Sequence, residues 1–401
     1  MFVGITNTPR PYAWGSRTAI AELLGREPSG EPEAELWLGA HPGSPSVILD
    51  PSKTGGATDL AAWIAADPAT ALGPFAASGQ LPFLLKILAA ESPLSLQAHP
   101  TPAQARLGFE RENAAGVPLD APERNYKDAF PKPELIYALS PTFGALCGFR
   151  PLGEVRALIL ALIDLTRQLE DPQPQPLEDL LDSLESGLRD TFEWLISNGS
   201  GVPTLVSQVT SLATSASLPE YADELDTVRT LARGFPGDPG IVISLLLNRV
   251  TLAAGESLYL PAGNIHAYLD GLGVELMAAS DNVLRGGLTP KHIDVPELLG
   301  VLDFTPVPVP YLHATSLSSF VSVYTPDVPD FVLVRVHGAA LDASFALTGP
   351  AIAICTSGSV SVAGGASTVT VARGSSVYVT PDEGTLRFGG DGTLFLATTG
   401  A

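Results

Sequence analysis

The feature that most constrains this chain is a change of hydrophobic period in its middle. Val155, Leu158, Ile159, Leu162 and Leu165 recur at three- and four-residue spacing, which lines one face of a helix, whereas the flanking regions carry short alternating or β-branched runs suited to strands. A Pro-rich break at 171–176 is followed by a second amphipathic run over 177–196. A third covers about 219–233 and is stopped by Gly234-Phe-Pro-Gly-Asp-Pro-Gly240. The pattern predicts a helical module over 151–239 inserted into a mainly β protein.

Before the insertion, Leu81-Pro-Phe-Leu-Leu-Lys-Ile-Leu88 and Leu135-Ile-Tyr-Ala-Leu139 read as strands, with some helix near 18–24. After it, 241–247 reads as one more short helix and 249–260 returns to strand character. From about 307 onward Val332-Leu-Val-Arg-Val336, Ser359-Val-Ser-Val362, Thr368-Val-Thr-Val371 and Ser376-Val-Tyr-Val379 lie between Gly-rich turns, which predicts a closed sandwich or barrel. The expected units are 1–150 with 240–305, the insertion 151–239, and a last β unit 306–401.

Such a division suits 401 residues of which 45% are hydrophobic and 16% charged. Forty-three acids against 22 bases give a net charge of -21, which disfavours nucleic acid and anionic membranes as partners. An anionic ligand would need a basic island. Two cysteines, Cys147 and Cys355, are too few for a disulfide scaffold, and neither an export signal nor an apolar run of about 18 residues is present. A cytoplasmic protein is expected, as a monomer or weak homo-oligomer.

Two of the six histidines stand out by company. In Gln97-Ala-His99 an extended backbone turns residues i and i+2 the same way, so an amide oxygen and an imidazole can face one point. Lys132-Pro-Glu134 repeats that spacing with opposite charges. The third piece is Gly255-x5-Pro261-x-Gly263-x2-His266-x3-Asp270, which matches the second motif of the cupin superfamily except that Asp270 replaces an Asn. A weaker echo, Gly374-Ser-Ser-Val-Tyr-Val-Thr-Pro381-Asp-Glu-Gly384, has Leu386 where the first copy has His266. Only the earlier copy is equipped for metal. Gln97, His99, Glu134 and His266 form a mixed N/O set suited to zinc, though iron or manganese would also accept it.

Taken together, Tyr12-Ala-Trp-Gly15, Glu35-Leu-Trp-Leu-Gly39, Leu94-Ser-Leu-Gln-Ala-His-Pro100, Lys132-Pro-Glu134 and the stretch from Pro261 to Lys291 resemble type I phosphomannose isomerase. The resemblance implies a cupin-like jelly-roll or β-barrel catalytic domain, an inserted helical domain and a metal-free C-terminal β-barrel domain. It also implies one Zn2+ per chain on Gln97, His99, Glu134 and His266, and interconversion of mannose 6-phosphate and fructose 6-phosphate. By matching position it gives catalytic roles to Arg285, Lys132, Glu275 and Asp281, and substrate contacts to Ser95, Lys86 and Tyr268.

Lysine occurs only at 53, 86, 127, 132 and 291, and four of the five fall in or beside these motifs, as a site for a sugar phosphate requires. Aldose–ketose conversion moves a proton between C2 and C1 through an enediol, with charge developing on the sugar oxygens. Glu275, Asp281, Lys132 and a metal-bound water all remain candidates for the base. A non-catalytic, metal-dependent sugar-phosphate binder is the second reading, and an iron oxygenase the third, disfavoured by Gln97. His292, His313 and His337 read as structural or surface residues, His41 as a turn residue near the pocket rim. The tryptophans read as core, with Trp14 the one weighed as sugar-facing.

Overall fold

The structure is a computed structural model that describes residues 1–400. It is mainly β with a helical insertion. Two nine-stranded sheets carry the chain, every strand pair in them antiparallel. Their pairings branch and end at free edges, so among the described residues neither sheet closes into the expected hydrogen-bonded barrel.

The first sheet is organised by the strand His266–Ala278. Its first half pairs with Gln97–Ala98 and Thr142–Phe149, and its second half with Phe83–Ala90 and Glu134–Ala138. In its second half Val274, Leu276 and Ala278 join Leu85, Ile87, Leu135 and Tyr137 in a core shared with Leu333, Ile352, Tyr378 and Phe395 of the second sheet. Each valine, leucine, isoleucine or phenylalanine among them contributes about 1.5–3 kcal/mol when fully buried. In its first half the partition runs the other way, with Ala267 and Leu269 packing against the helical module beside Leu158, Leu205 and Val228.

A one-residue shift reconciles the two halves. Tyr268 opposes Ala145 and Asp270 opposes Gly144, so Leu269 is an extra residue on the long strand. Strand side chains alternate faces with period two, and a bulge exchanges the faces of everything beyond it. His266, Tyr268, Glu275 and Met277 thereby address one interior, although their numbers change parity midway. Gly271 follows the bulge at φ 119°, where a Cβ would meet Phe143 at 2.7 Å, so both backbone and packing favour glycine.

The insertion comprises helices Leu152–Arg167, Gln175–Ser186, Leu188–Ile196, Val202–Ser215 and Ala222–Gly234. Gly187, at φ 138°, divides the run over 177–196 into two helices. The helix Val202–Ser215 was passed over in the sequence reading, although Val202, Leu205, Val206, Val209 and Leu212 recur at helical spacing and are buried. The pairing also places Phe2–Thr6 against Ser376–Val379 and Val47–Ile48 against Phe2–Thr6, so the N-terminal strand completes the last sheet. The later echo forms the strand Ser376–Val379, and its Leu386 is buried in an apolar core.

Candidate metal centre

Strand register brings the expected ligands together. His266 begins the long strand just after a turn in which Gly263 adopts φ 79°. Gln97 stands directly across from His266 on one side and from Arg285 on the other. The Gln97 strand is only two residues long, so His99 lies just beyond it, held where Gly263 N donates to the His99 carbonyl at 2.9 Å. Glu134 opens the neighbouring strand, in register with Met277. Lys132 precedes that strand instead of belonging to it, yet its Nζ is 2.8 Å from Glu134 Oε1.

The hydrogen bonds fix the state of both imidazoles. His99 Nδ1 donates to the Asn282 carbonyl at 2.8 Å, and His266 Nδ1 donates to the Asn264 carbonyl at 3.0 Å. A carbonyl can only accept, so each neutral ring has its proton on Nδ1 and a bare lone pair on Nε2. Those lone pairs confront Glu134: His99 Nε2 lies 3.3 Å from Oε1, and His266 Nε2 3.2 Å from Oε2. His99 Nε2 and Glu134 Oε2 are buried with no hydrogen-bond partner.

Burial, reinforced by Lys132, pushes His99 down to about 4, so it stays neutral near pH 7. Burial alone would raise Glu134, but the Lys132 ammonium 2.8 Å away outweighs it and holds the carboxyl well below its usual range. Acceptors facing acceptors in a dry site need a cation between them. One ligand atom from each of His99, Glu134 and His266 falls within 4.8 Å of the others. Gln97 Nε2 is 3.3 Å from His266 Nε2, and a turn of that amide would offer its oxygen as a fourth ligand. The donor set fits zinc, and the bonds from Nδ1 to carbonyls are the outer support that orients ligating histidines.

Beside this cradle is a cavity of about 350 Å³ lined by Lys86, Lys132, Tyr268, Glu275, Asp281 and Arg285, among others. It shares Tyr12, Gln97, Arg285 and Lys291 with an outer cavity of about 520 Å³ that also holds Trp14 and Ser95. Six cationic side chains against four carboxylates line the inner cavity, the basic island required in an acidic chain. The four lysines in or beside the motifs, 86, 127, 132 and 291, are among them.

Those cations are not equivalent. Lys86 is buried between Glu275 (2.9 Å) and Glu35 (3.2 Å), and these acids keep it protonated although burial opposes its charge. Ser95 lines the outer cavity and Lys86 the inner one. Arg285, Lys127 and Lys291 form no ion pair among the described residues. Lys291 is lowered by partial burial, then by Arg285 and Lys127. These three cations at the mouth lack counter-ions.

Tyr268 presents a buried hydroxyl with no partner, held protonated by burial and by Glu275 and Glu134. Asp281 is half-exposed and pairs with His41, which opens a turn, its carbonyl accepting from Ser44 N at 3.0 Å, and is buried against Trp37. Sequence reasoning passed over Glu35, Trp37 and Asn282, which act on the site through other residues. Asn282 lay inside a quoted motif, but a backbone carbonyl aimed at His99 leaves no mark in the side-chain code.

Residues 2–152 match the family model for the phosphomannose isomerase type I catalytic domain. Over 398 residues the chain is 36% identical to mannose-6-phosphate isomerase of Escherichia coli strain K12, covering 97% of each. It is 35% identical over 355 residues to the Homo sapiens mannose-6-phosphate isomerase, covering 81% of this chain and 79% of that one. A zinc-bound crystal structure of mannose 6-phosphate isomerase superposes with a TM-score of 0.87 at 33% identity, over the full length of both chains. With the fold and nearly the whole sequence in agreement, the chain belongs to the type I phosphomannose isomerase family.

Proposed function

We propose that this protein interconverts mannose 6-phosphate and fructose 6-phosphate, using one Zn2+ per chain held by Gln97, His99, Glu134 and His266. The observation that carries the reading is the pair of buried imidazole lone pairs facing Glu134, beside a cavity whose mouth holds unpaired cations. When bound, zinc would act as a Lewis acid toward the sugar oxygens.

The chain's own groups divide the remaining work. We assign the phosphate to Lys291 and Lys127 with Ser95 nearby, because Lys86 has its charge committed to two carboxylates. Arg285, in register with Gln97, is placed to stabilise negative charge on the enediolate. The Tyr268 hydroxyl is a buried donor for a sugar oxygen. Glu275 is the favoured base: it is buried and lines the inner cavity, and burial, joined by Glu134 and Glu35, raises it against the pull of Lys86. That serves a group that must both take a proton from C2 and return it at C1. Asp281 is committed to His41 and Lys132 to Glu134, so we give them orienting and charge-balancing roles.

A cytoplasmic location accords with two buried free cysteines, and no described helix is long and apolar enough to cross a membrane. We divide the chain as the sequence suggests, with Phe2–Thr6 and Val47–Ile48 assigned to the last β unit by their pairing. The test is fructose 6-phosphate turnover by purified protein, with bound metal quantified before and after chelation. Zinc near one per chain and chelator-sensitive isomerisation are expected. Tight sugar-phosphate binding without turnover would reject the catalytic reading in favour of a binding protein.

A further inference from the structure

On the wall of the inner cavity, two buried carboxylates share one ammonium. Lys86 Nζ is 2.9 Å from Glu275 Oε2 and 3.2 Å from Glu35 Oε1, and it stands 5.1 Å from the centre of the Trp37 ring. The other oxygen of Glu35 accepts from Trp37 Nε1 at 3.0 Å. Register accounts for the cluster: Trp37 opposes Lys86, Lys86 opposes Glu275, and Glu35 lies two residues before Trp37 on the same face. Glu35 is 7% exposed, Lys86 5% and Glu275 3%.

One carboxylate would suffice to pair Lys86. A second in the same dry site costs desolvation and adds like-charge repulsion, and Lys132, the other cation acting on Glu275, is paired with Glu134. The surplus charge therefore calls for an explanation beyond stability.

We propose that Glu35 is a positioning residue for the isomerisation: anchored by Trp37, it holds the Lys86 ammonium between two carboxylates, so that Glu275 receives only part of its charge and remains basic enough to move the substrate's proton. This rests on Glu275 being the base. The other groups facing Glu275 are Glu134 and Lys132 from the neighbouring strand region, and the Tyr268 hydroxyl from its own strand. Glu35 differs from all of them in that it competes for the same ammonium.

The test uses the zinc-loaded, full-length enzyme. Glu35→Gln keeps a hydrogen-bonding side chain of the same length and removes the charge, leaving Lys86 to Glu275 alone. The acidic limb of kcat/KM is expected to move down by roughly one pH unit, and plateau kcat to fall by roughly three- to tenfold as the base weakens, with KM little changed. Glu35→Asp, which keeps the charge, should leave the limb near its wild-type position. Trp37→Phe keeps the ring over Lys86 but frees Glu35, and should shift the limb in the same direction by less; it decides the matter if Glu35→Gln does not fold. An unmoved limb in folded, zinc-loaded Glu35→Gln would overturn the proposal, as would an equal shift in Glu35→Asp. Glu275→Gln separates the two layers. If that variant still exchanges the C2 proton at near wild-type rate, the base assignment fails and this proposal with it. If it is inactive while the limb of Glu35→Gln stays put, only the role of Glu35 is rejected.

Discussion

His41 Nε2 donates to Asp281 Oδ2 across 3.1 Å, and the backbone N–H of Gly43 donates to His41 Nδ1 at 3.1 Å, fixing the tautomer. Burial would raise the Asp281 carboxyl, but the bond from His41, with Lys132 and Lys127 nearby, keeps it below its usual range. Removing His41 also strips the edge contact on Trp37. His41→Ala should lower stability by about 1–2 kcal/mol, read as a reduced urea midpoint, and should lower kcat/KM because Asp281 borders the cavity. An unchanged midpoint would mean that the pair is ornamental.

Metal removal should be felt by the fold as well as by the reaction. A cation bound only by the native state adds stability by mass action, about 2.7 kcal/mol at a hundredfold excess over its dissociation constant. Chelation is expected to abolish turnover and lower Tm, with zinc restoring both. Glu134→Gln should lose the metal and show no such Tm response; retention of stoichiometric zinc would count against Glu134 as a ligand.

The metal-free protein should lose stability on mild acidification. His99 is pushed down to about 4 in the folded state, mainly by burial, against an ordinary value near 6.5. Between those values the unfolded chain binds a proton that the native one refuses, so native stability rises with pH across this window and is lost as pH falls. The effect of this group reaches at most about 3 kcal/mol. Urea titrations at pH 7 and 5 measure it, with His99→Gln as the variant in which the slope should flatten.

Lys291 stands at the cavity mouth with Arg285 and Lys127 and has no acidic partner. Lys291→Ala should raise KM for fructose 6-phosphate by roughly five- to tenfold with a smaller change in kcat, because it removes a contact to the non-reacting end of the substrate. Wild-type KM should rise with ionic strength more steeply than that of the variant. A fall in kcat alone would place the phosphate elsewhere.

Gly263 holds φ 79°, and a Cβ there would come within 3.2 Å of the Val301 carbonyl oxygen and 3.3 Å of the Asp303 side chain. Gly263→Ala is expected to cost about 1–2 kcal/mol. It should also weaken zinc retention, because the same turn supports the His99 carbonyl and leads into His266. Equilibrium unfolding and metal content after dialysis report the two effects.

Much of this was legible in the sequence wherever a local rule and the global fold agreed. The helical insertion announced itself through periodicity, and His99, Glu134 and His266 through ligand spacing. Less visible were relations between distant segments. The pairing of Phe2–Thr6 with Ser376–Val379 joins the two ends of the chain, and no local pattern encodes a partner that far away. Glu35 stood two residues before a tryptophan, and only register, which sets Trp37 on the same face opposite Lys86, brings it to that ammonium. Lys132 looked like a strand residue because Lys-x-Glu suits a strand, whereas Pro133 delays the strand to Glu134. The Asp270-Gly-Leu-Gly273 stretch did carry a signal, since glycines inside a strand pattern point to a bulge.

That bulge makes the active centre a matter of phase. Suppose the strand ran straight through Leu269 with no bulge, its side chains alternating strictly from His266 onward. No composition would change, but leucine and valine would turn toward the cavity while Glu275 turned into the apolar interior shared with the second sheet. The assembly of the centre thus depends on a count of residues as well as on their identities, and a substitution scan, which preserves the count, would never expose that dependence.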